Sequence, residues 1–180
     1  MDHYVTWRHS LNSIDKIEEK TILELGCGDG TKILLDKFKT VYSFEVARED
    51  EWYKKCKEVY KDCANWHSEC HLMKDIAGLV EADDQILKTG GAERKSEALI
   101  PFYELLEKFI PTTSVDAVLV DQGFHLRGET VMYFFEKQIS YILVHDSTHA
   151  DAIYGWNKIV CPSNYKLVDG NNTRLYIRTQ

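Results

Sequence analysis

The chain has 180 residues, 44% hydrophobic and 28% charged, which fits a single domain over 1–180. With 3 prolines and no Ser/Gly-rich tract, it leaves little room for a linker or disordered tail. Its 22 basic and 29 acidic residues give a net charge of -7, which disfavours nucleic acid, since phosphate-backbone binding needs clustered Lys and Arg. The 5 cysteines are an odd count, which argues against a disulfide framework and for a reducing, cytoplasmic setting. Apolar runs such as Tyr141–Val144 fall far short of the ~20 residues that span a bilayer. Met1–Ser10 carries Asp2, His3, Arg8 and His9 where a secretory leader would be basic and then apolar. Neither secretion nor a membrane partner is expected.

Along the chain, Ser10–Glu19 reads as an amphipathic helix through Leu11, Ile14 and Ile17. Thr21–Leu25 is a short apolar run entering glycines, the pattern of a buried strand. A helix is expected over Lys32–Phe38, a strand over Val41–Val46, a helix over Glu49–Lys61 and a short strand over His71–Met73. A weakly periodic helix precedes Gly90-Gly91, and Ser96–Phe109 is helical with its start near Pro101, since proline is tolerated in a first turn. Val115–Val120 and Tyr141–Val144 are buried strands that flank a helix over Thr130–Lys137. Tyr165–Val168 and Thr173–Arg178 enclose Gly170-Asn171-Asn172 and read as a hairpin. Strands apolar on both faces imply a sheet covered by helices on both sides. The fold class is α/β, a doubly wound, Rossmann-like sheet of seven strands with an antiparallel C-terminal hairpin.

The segment Leu23-Glu24-Leu25-Gly26-Cys27-Gly28-Asp29-Gly30 carries the most chemistry. A strand running into alternate glycines needs a tight turn and a close backbone approach to a ligand. A dinucleotide fingerprint would place its third glycine where Thr31 stands. Glu24 at the mouth of this turn would repel phosphate and attract an ammonium group. Glu45, ending the second strand, suits both hydroxyls of a ribose. An ammonium, a ribose and no phosphate describe S-adenosylmethionine (SAM). The segment resembles motif I of the class I SAM-dependent methyltransferases, matched by ELGCGDG, with the ribose acid in FEVA. The resemblance implies that Glu24 orients the methionine amine, that Gly26, Gly28 and Gly30 offer backbone contacts, and that Glu45 binds the ribose. Cys27 is expected to face the same pocket, and Asp75 in MKD is the counterpart of the adenine-side acid.

The acceptor side is expected where the fourth strand ends in Asp121-Gln122-Gly123-Phe124-His125 and the fifth in His145-Asp146-Ser147-Thr148-His149. Parallel neighbours would bring Asp121 and Asp146 to one rim, beside the sulfonium. Two adjacent carboxylates repel unless a cation or proton intervenes. Mg2+ or another divalent ion would serve there and would stabilise a developing alkoxide. The pairing is similar to small O-methyltransferases with VDG-x-H and HD elements, catechol and sugar enzymes among them. VDQGFHLRGE, VHDSTH and YGW are similar to glycan O-methyltransferases, including those of large DNA viruses. Two positions depart from the catechol type: Phe124 replaces its lysine base, and Ser147 replaces its Asn ligand. His125 is the expected general base, because histidine titrates near neutrality, and His149 is the second choice.

The expected reaction is methyl transfer to a carbohydrate hydroxyl. Catechol-like small molecules are the alternative acceptors. A nicotinamide-dependent reductase is disfavoured by Thr31, and a SAM-binding regulatory module is a further rival. With no evident lid insertion, the acceptor site is either open or completed by a second subunit of a homo-oligomer. Cys56, Cys63 and Cys70 are spaced too widely for a zinc knuckle. Trp52, Tyr53, Tyr154 and Trp156 read as core aromatics, with stacking on sugar rings as the other possibility.

Overall fold

A computed structural model describes residues 6–148, 151–170 and 172–179. The chain opens with a 3-10 helix over Thr6–Ser13 and a shorter one over Ile17–Glu19. It then alternates β1 (Thr21–Leu25), α1 (Thr31–Lys37), β2 (Thr40–Ala47), α2 (Glu51–Tyr60), β3 (Trp66–Leu72) and α3 (Leu79–Thr89). After α4 (Leu99–Phe109) come β4 (Ala117–Val120), α5 (Arg127–Glu136), β5 (Tyr141–His145) and the short α6 (Asp151–Tyr154). The hairpin of β6 (Tyr165–Gly170) and β7 (Thr173–Arg178) closes the order. Among the described residues no helix is long and apolar enough to cross a membrane.

All seven strands form one sheet in the order β3-β2-β1-β4-β5-β7-β6. The first five strands pair in parallel, and β7 runs antiparallel to both β5 and β6. Each parallel connection needs a helical crossover, so both faces of the central strands are covered. Leu23, Leu25, Val118, Val120, Ile142 and Val144 pack under α3, α4 and α5. Ile22, Ala117, Leu119 and Leu143 face the other way, against α1, α2 and the N-terminal turn carrying Trp7, Leu11 and Ile14.

Three expectations need correction. Residues Ser10–Glu19 do not form one α-helix, because Lys16 adopts a left-handed φ of 47° and breaks the segment. The three-residue spacing of Leu11 and Ile14 matches a 3-10 helix, where positions i and i+3 eclipse; the Ile14 N–H donates to the Leu11 carbonyl at 3.1 Å. The strand expected at His71–Met73 is longer and begins at Trp66. It lies at the sheet edge and is half-buried, so its polar sequence conceals it. Finally, α4 starts at Leu99, with Pro101 inside its first turn, where a missing N–H costs no intrahelical bond.

The strand order reverses between β1, whose successor β2 lies on one side, and β4 on the other. This topological switch point opens a crevice beyond the carboxyl ends of the strands. Gly26 makes the turn at this point with φ +91°, and a Cβ there would stand 2.7 Å from the Asp121 carbonyl oxygen. Backbone contact between the ends of β1 and β4 therefore excludes any side chain. Gly26→Ala is expected to cost about 2–3 kcal/mol, a Tm loss of roughly 5–10 °C. Thermal unfolding checks this, and an unchanged Tm would contradict the close contact.

Candidate functional site

A cavity of about 560 Å³ occupies the crevice. Its floor is the β1 turn, with Gly26, Cys27, Gly28, Asp29 and Gly30, and its walls include Glu24, Glu45, Asp121, His145 and Asp146. Trp7, Trp52, Leu119 and Gly123 complete the lining. Five carboxylates and one imidazole thus face this space, and no Lys or Arg lies among its described lining residues.

Helix α2 holds the turn in place with one face. Trp52 Nε1 donates to the Cys27 carbonyl at 2.8 Å, and the Tyr60 hydroxyl donates to the Gly28 carbonyl at 3.0 Å. These residues lie two helical turns apart, so they share a face. Trp52 nevertheless remains 49% exposed, which leaves ring surface for a ligand.

Glu24 is buried below the turn and receives hydroxyl donors from Ser43 at 2.7 Å and Thr31 at 2.9 Å. Each hydroxyl is itself oriented: Trp66 Nε1 donates to Ser43 Oγ, and the Gly28 N–H donates to Thr31 Oγ1. Burial pushes the Glu24 carboxyl up to about 8, although both hydroxyls pull it down. Glu45 is also buried, and its Oε2 accepts the Cys27 N–H at 2.8 Å. Burial raises its pKa too, with the Cys27 bond opposing the rise.

On the opposite wall, Asp121 and Asp146 stand together as the strand order requires. His145 Nδ1 lies 3.1 Å from Asp121 Oδ2, while its Nε2 is 3.7 Å from Asp146 Oδ1, beyond hydrogen-bonding reach. Burial pulls the His145 pKa down, but Asp121 and Asp146 outweigh it and hold it above its ordinary value. Ligand atoms from Asp121, His145 and Asp146 lie within 4.8 Å of one another, close enough to share a cation. A guanidinium already adjoins them: Arg127 Nη1 is 3.1 Å from Asp121 Oδ1 and 3.6 Å from Asp146 Oδ2. A guanidinium and a dication roughly 5 Å apart repel by about 7 kcal/mol at an effective dielectric near 20. With an imidazole replacing an oxygen donor as well, this set does not fit a hard ion such as Mg2+.

Two expected site residues, His125 and Asp75, lie away from the cavity lining. His125 does not line the cavity; its backbone N–H and Nδ1 both lie 2.8 Å from Asp83 Oδ1, and its ring stacks on Tyr154. Asp83 is itself buried and paired with Arg48, and these partners overcome burial to keep its pKa low. Asp75 is exposed in a 3-10 turn after β3, away from the lining. His149 lies outside the described residues. Cys56, Cys63 and Cys70 form no metal-ligating group among the described residues.

Sequence reasoning missed the roles of His145, Asp83 and Arg127. Arg127 left a signal: a cation in the first turn of α5 opposes the helix dipole, so it calls for an acidic partner. Asp83 left none, because an acid in Glu81-Ala82-Asp83-Asp84 looks like part of a solvated helix face.

No family model matches the sequence, and no curated protein matches it. Solved structures do resemble the fold. SMU.1697c of Streptococcus mutans, described as a methyltransferase and solved with SAH, aligns at TM-score 0.55 and 9% identity, over 95% of this chain and 94% of that one. Aeropyrum pernix fibrillarin with natively bound S-adenosyl-L-methionine aligns at 0.53 and 12% identity, over 94% and 73%. An rRNA methylase from Streptococcus thermophilus aligns at 0.50 and 12% identity, over 92% and 91%. Identities this low establish shared architecture alone.

The buried Glu24 makes a pH prediction. Its folded pKa of about 8 lies above its ordinary 4.5, so its contribution to stability is complete below pH 4.5 and is lost as pH rises through about 8. Glu24→Gln is expected to flatten the pH dependence of the ligand-free protein in that window, by on the order of a few kcal/mol. Urea unfolding from pH 5 to 9 measures it, and parallel profiles for both proteins would refute it.

Proposed function

Proceeding from the class I SAM-dependent methyltransferase fold, we propose that this chain transfers a methyl group from SAM to a hydroxyl oxygen of a carbohydrate. The observation that carries the cofactor half is the make-up of the cavity: five carboxyl groups and one imidazole surround a glycine turn, with no Lys or Arg among the described lining residues. Such a space attracts an ammonium and a sulfonium and repels the diphosphate of a nicotinamide dinucleotide. Glu45, placed at the end of β2 and braced by the Cys27 N–H, is the ribose ligand in this reading. Glu24 acts chiefly by holding the turn through Thr31 and Ser43 and adds negative charge beneath the amine when ionised.

When bound, SAM supplies an activated methyl group, so the protein must align the acceptor and take up its proton. His145 lies in the cavity wall with Nδ1 facing Asp121, which leaves Nε2 to meet an acceptor hydroxyl. We place the base there, since His125 is turned toward Asp83. Exposed Trp52 offers a ring face to a sugar. The net charge of -7 and the acidic cavity disfavour an RNA acceptor. A catechol-like small molecule remains the second acceptor class, because the same histidine would serve a phenol.

Calorimetry is expected to show SAM binding and no NAD(P) binding; the reverse result would end the methyltransferase reading. Product assays across glycan, catechol and RNA acceptors should yield SAH with the glycan. In the same assay, His145→Ala should slow turnover about 10²–10⁴-fold, with His125→Ala retaining most of the rate. A full-rate His145→Ala protein alongside an inactive His125→Ala protein would return the base to His125.

A further inference from the structure

Asp121 and Asp146 need a cation between them, and the chain provides one. Arg127 is only 6% exposed, and four contacts hold it. Its Nη1 is 3.1 Å from Asp121 Oδ1 and 3.6 Å from Asp146 Oδ2, its Nε donates to the Gln122 carbonyl at 2.9 Å, and its Cζ lies 4.3 Å from the Tyr154 ring centroid. We infer that Arg127 is the built-in counter-ion of the Asp121–Asp146 pair, and that this protein uses no divalent metal at that position. The inference extends beyond the methyl-transfer reading and does not depend on the acceptor.

The remaining carboxylate oxygens are also engaged. Asp121 Oδ2 faces His145 Nδ1 at 3.1 Å, and Asp146 Oδ1 accepts Asn172 Nδ2 at 2.9 Å. Backbone geometry enforces this arrangement. Asp146 and Asn172 both adopt left-handed φ, 58° and 55°, and the Trp156 indole donates to the Asp146 carbonyl at 3.0 Å. A Mg2+ or Mn2+ ion would have to displace several of these partners while keeping its own waters. The guanidinium, by contrast, already sets one nitrogen, Nη1, between the two carboxylates, and its position over the Tyr154 ring holds its plane. Removing Arg127 would therefore leave two adjacent uncompensated carboxylates beside an imidazole, a set that does suit a transition-metal dication.

The test is Mn2+ titration of EDTA-treated protein, followed by calorimetry and by electron paramagnetic resonance. Wild type and Asp121→Asn should be indistinguishable, showing only weak binding common to an acidic surface. Arg127→Gln should gain a one-equivalent site at least about tenfold tighter, and the added Asp121→Asn change should abolish it. Arg127→Lys, which keeps the charge, should gain much less. A stoichiometric Mn2+ site in wild type that Asp121→Asn removes would overturn the inference, as would an Arg127→Gln protein that binds no tighter than wild type. If circular dichroism shows that Arg127→Gln does not fold, the comparison of wild type with Asp121→Asn decides alone. SAM titration of wild type in parallel reports on the cofactor reading, so the two ideas fail separately.

Discussion

The carboxylate of Glu24 is the knot on which the site depends. Through Ser43 it reaches β2, through Thr31 it reaches α1, and through the Gly28 N–H on Thr31 it fixes the glycine turn itself. A buried carboxyl is costly unless its lone pairs are met, and here both oxygens accept hydroxyl donors. The same acid that lies beneath the ligand space thus holds together the three elements that shape it. The α2 face bearing Trp52 and Tyr60 completes the arrangement from above, by capping the carbonyls of Cys27 and Gly28.

The second organising constraint is charge. The cavity concentrates carboxylates on both walls, which suits a cationic cofactor but would destabilise an empty site through mutual repulsion. The two walls answer this differently. Around Glu24 and Glu45, burial raises both pKa values, and the Glu24 carboxyl, pushed up to about 8, relieves part of the repulsion when protonated. Around Asp121 and Asp146, the Arg127 guanidinium supplies countercharge instead, and the His145 imidazole lies against Asp121 Oδ2. Neighbouring His125 belongs to a separate network with Asp83, Arg48 and Arg94 that ties α3 to the loop after β4.

Much of this was legible in order along the chain. Parallel strands buried on both faces read as continuous apolar runs, and β1, β4 and β5 were found that way. Where burial is partial, the signal fades: β3 is a half-buried edge strand over Trp66–Leu72, and the sequence pattern shows only its end, at His71 and Leu72. The N-terminal segment misled because a spacing of three fits an amphipathic α-helix about as well as a 3-10 helix, and only the left-handed Lys16 separates them.

The sequence by itself determined the strand–helix alternation, the glycine turn and the placement of Glu24, Glu45, Asp121 and Asp146 at strand ends. Periodicity and local steric demands are properties of neighbouring residues, so they survive without a structure. Tertiary structure alone decided which charges meet. Arg127 joins Asp121 to Asp146 on the neighbouring strand, and Asp83 pairs with His125, 42 residues away, contacts that no local pattern encodes. Whether a histidine at a strand end faces a cavity or a buried acid depends on side-chain direction and on the helix packed against it. That geometry brought His145 into the wall and turned His125 toward α3.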